Sequence, residues 1–248
     1  MNLEKYQQYS RIARGLEKAD LVLKDARIVN VFTEEIIRGD IAIQDGIIAG
    51  IGSFHGKEER DLAGRYVCPG VIDSHLHLES TLVTPAELVT AASRHGTTTF
   101  IVDPHESANV SGLAGVDYIL DQTENVKANV YVMMPSCVPA TSIDDNGCTL
   151  TAEDMAPYLH NSRILGLGEV MDSISVVQGE KSMHDKLELF EGRIRDGHAP
   201  FLEEGDLQAY AMAGIATDHE CSFFDYAMRE RRNGLTILVR EGSAARNL

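Results

Sequence analysis

The sequence predicts an α/β protein: a (β/α)8 TIM-like barrel, incomplete, preceded by a small β-sandwich portion. Three observations predict it. After Pro69-Gly70, short stretches rich in β-branched residues alternate with stretches long enough for helices. Before that point, brief strand candidates follow one another with only polar or glycine turns between them. Histidines and a glutamate also fall at the ends of the later strands, where barrel enzymes gather their functional side chains. The expected division is an accessory portion at residues 1–66, holding a helix and a small sheet, and a barrel portion at residues 67–248.

Residues 3 to 18 read as a short polar helix ending near Gly15. From Asp20 the segments Leu21-Val22-Leu23, Arg27 to Val31, Asp40 to Ile43 and Ile47 to Ile51 predict a small antiparallel sheet, with Asp45-Gly46 as one of its turns. In the barrel portion the strand candidates are Val71 to His77, Thr97 to Val102, Asn129 to Met134, Ile164 to Val170, Arg195 to His198, Ile215 to His219 and Thr236 to Arg240. Helices are expected over Pro85 to His95, Ala114 to Glu124, Ala152 to His160 and Met183 to Arg193, because parallel strands need crossovers that a hairpin cannot supply. These candidates reach barrel strand seven, and Gly242 to Leu248 read as the start of the next crossover helix. An open barrel leaves two unpaired edges over an apolar interior. The sequence is therefore expected to be truncated before strand eight, with a missing C-terminal region needed for completion. An open doubly wound sheet is the alternative that needs no further strand.

Composition narrows the classes. A chain of 248 residues with 44% hydrophobic content can bury one large core and little beside it. Its longest apolar candidates, such as Asn129 to Met134, are far shorter than the roughly 20 residues a spanning helix requires. With 22 basic and 38 acidic residues the formal charge is -16, which repels phosphate backbones and argues against nucleic acid or an anionic membrane as partner. A neutral or cationic small substrate meets no such penalty. No secretory pattern is read, so a cytoplasmic location is expected. Cys68, Cys137, Cys148 and Cys221 have no pair at zinc-knuckle spacing and read as reduced thiols.

His75 and His77 are the sharpest chemical signal. Two residues apart on a strand, they share a face and can grip one metal ion. Glu169, His198 and His219 close later strands in corresponding positions. Each alone reads as a hydrogen-bonded side chain, and Glu169 alone as a helix cap. Together, four imidazoles and one carboxylate at four strand ends offer donors suited to zinc, manganese or iron, with the carboxylate able to bridge two ions. Gly166, Gly168 and Gly197 interrupt apolar strands, either for close approach of another group or to relieve crowding.

The stretch Pro69-Gly70-Val71-Ile72-Asp73-Ser74-His75-Leu76-His77 resembles the opening metal motif of the amidohydrolase superfamily. Asp103-Pro104-His105-Glu106-Ser107-Ala108-Asn109-Val110, Gly168-Glu169-Val170-Met171, Asp196 to Pro200, Asp218 to Cys221 and Arg240 to Ala245 resemble its bacterial adenine deaminase family in particular. The likeness runs through nearly the whole chain, and Ser107 departs from it where an apolar residue is expected. It implies His75 and His77 as first-strand ligands, Glu169 as a bridge between two divalent ions, and His198 and His219 as ligands of the second ion. Manganese is favoured, with iron or zinc as alternatives. It further implies adenine and water as substrates, hypoxanthine and ammonia as products, a part in purine salvage, and self-association into a homo-oligomer. His105, Glu106 and Glu220 are candidates to touch substrate or support the ligands.

The superfamily's eighth-strand aspartate has no counterpart here, so the acid-base residue is unassigned and this chain alone is expected to be inactive. Two other functions stay open: hydrolysis of a cyclic amide or N-acyl group on the same metal scaffold, and a noncatalytic metal-binding fragment. The cytidine-deaminase arrangement is disfavoured, since the cysteines lack a Pro-Cys-x-x-Cys pattern.

Overall fold

Asn2 caps the first helix by accepting from the Lys5 amide at 3.0 Å, and α1 runs Leu3–Ala13. It stops earlier than the polar pattern predicts because Gly15 takes a left-handed turn at φ 71. Two strand candidates then fuse into one long β1 (Ala19–Asn30), with a register shift between Leu23 and Ala26. β2 (Glu35–Gln44) returns antiparallel, and Asp45-Gly46, both at positive φ, turn it into β3 (Ile47–Gly52). The chain then crosses to the other edge of β1, where β4 (Gly56–Asp61) and β5 (Tyr66–Val67) pair with it in parallel. The sheet is thus mixed rather than antiparallel, a single layer in the order β3-β2-β1-β4 with β5 also on β1. Its core joins Ile12 of α1 to Ala19, Val22, Ala42 and Phe54.

The computed structural model describes residues 1–141, 143–242, 246 and 247. It divides into two units, Met1–Pro69 and Gly70–Leu248. In the second unit the elements follow as β6 (Val71–Leu76), α2 (Pro85–Ser93), β7 (Thr97–Val102), α3 (His105–Ser111), α4 (Leu113–Gln122) and β8 (Asn129–Met134). After a long loop come α5 (Ala152–Met155), extended by a 3-10 turn to His160, then β9 (Ile164–Val170), α6 (Ser173–Gln178), α7 (Lys181–Leu189) and β10 (Ile194–Gly197). The chain closes with α8 (Glu204–Met212), β11 (Thr217–Asp218), α9 (Phe224–Arg232) and β12 (Thr236–Ile237).

Strands β6 to β10 lie side by side in chain order, every pair parallel. β11 and β12 form a further parallel pair, and the Ala216 amide donates to the Arg195 carbonyl at 2.9 Å, tying that pair to β10. Sequential parallel order with helical crossovers is the barrel progression. A doubly wound sheet would reverse its strand order part-way. β11 and β12 are shorter than the apolar stretches at 215–219 and 236–240 suggest; β11 stops because the chain turns after Asp218, whose carboxylate accepts from the Glu220 and Cys221 amides. Of the expected terminal helix, Ser243, Ala244, Ala245 and Leu248 lie outside the described residues, while Glu241 and Arg246 form an antiparallel bridge instead.

The core is built from alternate strand residues and the inner faces of the helices. Phe100, Val102, Val132, Met134, Leu167 and Val170 meet Val89, Ile119 and Leu187. Away from the site, Arg163 donates to Leu120 O at 2.6 Å and Arg193 to Ile164 O and Leu159 O at 2.8 Å, occupying carbonyls left free at strand and helix ends.

Gly166 shows which glycines the packing requires. A Cβ there would sit 2.1 Å from Ile194 O on the paired strand. At Gly205, in the first turn of α8, a Cβ would meet nothing within 4 Å. Gly166→Ala should therefore lower the unfolding free energy by roughly 1–3 kcal/mol, whereas Gly205→Ala should raise it by roughly 0.5–1 kcal/mol. Urea unfolding of the two variants beside the wild type checks both signs.

Candidate metal centre

Each strand end delivers one donor or one acid to a common point. β6 presents His75 and, one residue beyond it, His77; β9 carries Glu169; His198 and His219 follow β10 and β11. Glu169 is the hub. Its Oε1 lies 2.8 Å from His75 Nε2, 2.9 Å from His77 Nε2 and 3.6 Å from His219 Nε2, and its Oε2 lies 3.0 Å from His198 Nδ1. The side chain is only 2% exposed. Two donor sets, His75 with His77 and Glu169, and His198 with His219 and Glu169, each bring one atom per residue within 4.8 Å of the others. They share the carboxylate, so the arrangement can hold two ions with Glu169 between them.

The electrostatics fit a cation. His75 Nε2 faces His77 Nε2 at 3.2 Å, two imidazole nitrogens aimed at one spot. Glu169 Oε1 is buried and, despite its near nitrogens, no hydrogen bond to it has acceptable geometry. Both features are explained by donors converging on an ion rather than on one another. Burial opposes the charge on Glu169, yet His198, His75 and His77 hold its carboxyl far below the usual range. Burial likewise opposes the imidazolium of His75, but Asp196 and Glu169 outweigh it and push the group up to about 10. His219, buried with its ring stacked 3.9 Å from that of His75, is pushed down to about 3. The cluster thus demands positive charge near Glu169 and, at His219, favours a free lone pair.

A ring of acids that the sequence reading passed over orients these ligands. Asp196 Oδ2 takes His75 Nδ1 at 2.9 Å, leaving Nε2 toward the centre. The Asp103 carbonyl takes His77 Nδ1 at 2.8 Å, and its carboxylate accepts from the Glu169 amide at 2.7 Å. Gly168 makes that last bond possible, since a Cβ there would lie 2.3 Å from Asp103 Oδ2. Asp218 Oδ1 accepts from the Ala199 amide at 2.7 Å and Oδ2 from Glu220 and Cys221 at 2.8 and 3.0 Å, fixing the loop of His219 to that of His198. A signal for two of these acids lay in the sequence: Asp103-x-His105 and Asp196-x-His198 repeat the spacing of Asp73-x-His75.

The remaining sequence candidates also converge. His105 Nδ1 stands 3.7 Å from Asp103 and 3.9 Å from Glu169, with its ring 4.5 Å from that of His77. Burial opposes its charge, but Asp103 and Cys137 prevail and push it up to about 12. Glu106 is exposed, accepts from Ser80 Oγ at 2.7 Å, and lines a cavity of about 570 Å3. Glu220 Oε1 lies 3.6 Å from His219 Nε2 and 3.9 Å from His198 Nδ1, and is ion-paired to Arg240. The cavity is lined by His75, His77, His219 and Arg240 and runs along β6 from Val71.

The Amidohydrolase family pattern matches residues 66–241. The chain belongs to the amidohydrolase family. An adenine deaminase of Desulfitobacterium hafniense (strain Y51) is 57% identical over 248 residues, covering 100% of this amidohydrolase chain and 44% of its own length. An adenine deaminase of Clostridium acetobutylicum is 50% identical over 238 residues, covering 95% and 42%. The chain therefore spans less than half the length of these relatives. Among solved structures, a β-aspartyl dipeptidase from Fervidobacterium islandicum AW-1 matches with a TM-score of 0.57 at 14% identity, covering 89% of this chain and 64% of that one. A 5-methylcytosine deaminase from Klebsiella pneumoniae gives 0.53 at 15%, covering 87% and 64%. These two likenesses speak to the fold alone.

Behind the amidohydrolase site, Glu230 is fully buried on α9, and neither carboxylate oxygen has a hydrogen-bond partner. Burial and the charge of Asp218 push it up to about 8. An acid whose folded value exceeds its unfolded one is neutral when folded and ionised when unfolded across the window between them. Its contribution to stability therefore declines from about pH 4.3 up to about 8. Glu230→Gln should remove that decline, so the variant gains on the wild type as pH rises from 5 to 8 in thermal melts. Metal gives a separate handle: a chelator should lower the wild-type midpoint by several degrees and leave Glu169→Gln nearly unmoved.

Proposed function

We propose that the protein carrying this chain hydrolyses adenine to hypoxanthine and ammonia, with His75, His77, Glu169, His198 and His219 holding two divalent ions. The observation that carries the reading is the pair of donor sets sharing Glu169, three of whose histidines, His75, His77 and His219, line an open cavity. The adenine deaminases that resemble the chain along its length supply the substrate. The donor sets contain imidazole and carboxylate and no thiolate, which suits manganese or iron as well as zinc, and manganese is the proposed occupant.

Aromatic amines leave poorly, and water attacks an electron-rich ring slowly. Bound metal supplies the nucleophile at neutral pH by lowering the pKa of water from about 15.7 toward 7. The chain's own residues do the rest. Asp196 and the Asp103 carbonyl fix the ring orientations of His75 and His77. In the net reaction a C6–O bond forms, the C6–N bond breaks and the amino group leaves as ammonia after gaining a proton. To Glu220, whose Oε1 faces His198 and His219, we assign acceptance and return of hydrogen at the amino group, and to His105 and Glu106 contacts to ring nitrogens.

Hydrolysis of a cyclic amide or N-acyl group uses the same donor sets, and the names of the similar relatives favour the deaminase reading over it. The proposed setting is the cytoplasm, where purine salvage would use the reaction. The four cysteines are unpaired, which suits a reducing compartment.

Ammonia release from adenine, measured on the manganese-loaded protein with metal content determined on the same sample, tests the proposal. Turnover in the ordinary range of about 1–1000 per second is expected. His75→Ala/His77→Ala should lose at least about a thousandfold together with bound metal. Hydrolysis of hydantoins or acylated amino sugars with no ammonia from adenine would move the assignment elsewhere in the family.

A further inference from the structure

Among the described residues, Arg240 is the one lysine or arginine lining the metal-site cavity, and its partner is Glu220. It follows β12, while Glu220 follows β11, so the pair links the ends of the last two described strands. Its guanidinium is 27% exposed and the carboxylate 21%, which puts the contact at the cavity's edge, neither in bulk water nor in the core. The same Oε1 that Arg240 holds is the one facing His219 Nε2 at 3.6 Å and His198 Nδ1 at 3.9 Å. Glu220 is further tied through its backbone, whose amide donates to Asp218 Oδ2 at 2.8 Å. Main chain and head group are thus both anchored, leaving the side chain between them little freedom.

Resting on the deaminase reading, we propose that Arg240 is a positioning residue that acts through Glu220, aiming its carboxylate at the substrate's amino group and keeping it from folding onto the ions. An unrestrained glutamate this close to two metal-binding nitrogens could supply a further ligand oxygen and leave the amino group without an acceptor. A guanidinium is suited to prevent this, because its planar donors fix a carboxylate's direction, whereas an ammonium acts as a point charge. The pair accordingly serves substrate binding and proton handling, and metal retention does not depend on it.

A double-mutant cycle tests this on the manganese-loaded protein. Arg240→Met and Glu220→Gln should each raise the KM for adenine and weaken calorimetric binding of hypoxanthine by about tenfold, the scale of one charge-assisted hydrogen bond. The double variant should be no worse than either single one, and Arg240→Lys should recover only part of the loss. Metal content should match the wild type throughout. Additive losses would overturn the coupling, and metal lost from Arg240→Met would show a structural role instead. Wild-type protein that turns over adenine while the cycle is additive sinks the positioning role alone. Wild-type protein that neither binds nor turns over a purine overturns the deaminase reading and this role with it.

Discussion

A carboxylate buried among imidazoles is the constraint from which the rest of the second unit follows. Removing one ionised carboxylate from water costs several kcal/mol even after the protein relaxes around it. Glu169 is almost wholly enclosed, and nothing apolar could offset that cost. What offsets it is convergence: four histidines drawn from three strand ends, while the bond from the Glu169 amide to Asp103 fixes where the carboxylate stands. Only a parallel sheet that places successive carboxyl ends on one rim can bring them together, because an antiparallel meander would send alternate ends to opposite sides.

The acids around the hub divide the labour. Asp196 and Asp103 face histidines and turn their free nitrogens inward, whereas Asp218 bonds to no candidate ligand side chain and spends both oxygens on backbone amides. The first two set ligand direction, and the third sets the distance between the loops of His198 and His219. Glycine is required at two narrow points beside the site. At Gly168 a methyl would displace Asp103, and at Gly197 it would lie 2.3 Å from Thr217 O on the neighbouring strand. Of the two readings open for the strand glycines, close approach of another side chain fits Gly168, whereas at Gly166 and Gly197 the crowding comes from the neighbouring strand's backbone.

What was legible in the sequence is what a short-range pattern can carry. β7, β8 and β9 fall on the predicted residues because β-branched runs bounded by turns have few alternative conformations. The five ligand candidates were legible because a strand's period of two and the barrel's polarity place them without knowledge of the packing. The mixed pairing of the first sheet was not. β4, at Lys57 to Asp61, is highly charged and joins β1 through main-chain bonds, so its side chains carry little trace of it. Helix α3 was missed for a related reason: His105 to Ser111 reads as a chemical motif, and Pro104 before it gives it a start that no apolar period announces.

Arg240 and Asp196 mark the deeper limit. Their partners, Glu220 and His75, lie 20 and 121 residues away; the pairing of β11 with β12 makes the first two neighbours, and the curvature of the sheet that brings β10 round to β6 the second two. The same curvature explains why substrate choice resists reading from the strands. Donor sets on strand ends are fixed by the sheet and serve any hydrolysis that uses an activated water, so amidohydrolases of unlike specificity can share them. Groups that meet the substrate must instead stand on the segments that follow the strands, where backbone direction is free to vary. In this chain those segments carry Glu106 after β7, Glu220 after β11 and Arg240 after β12, and Glu106 and Arg240 line the cavity together with His75, His77 and His219. Side chains that meet a substrate there can differ while the donors at the strand ends stay the same.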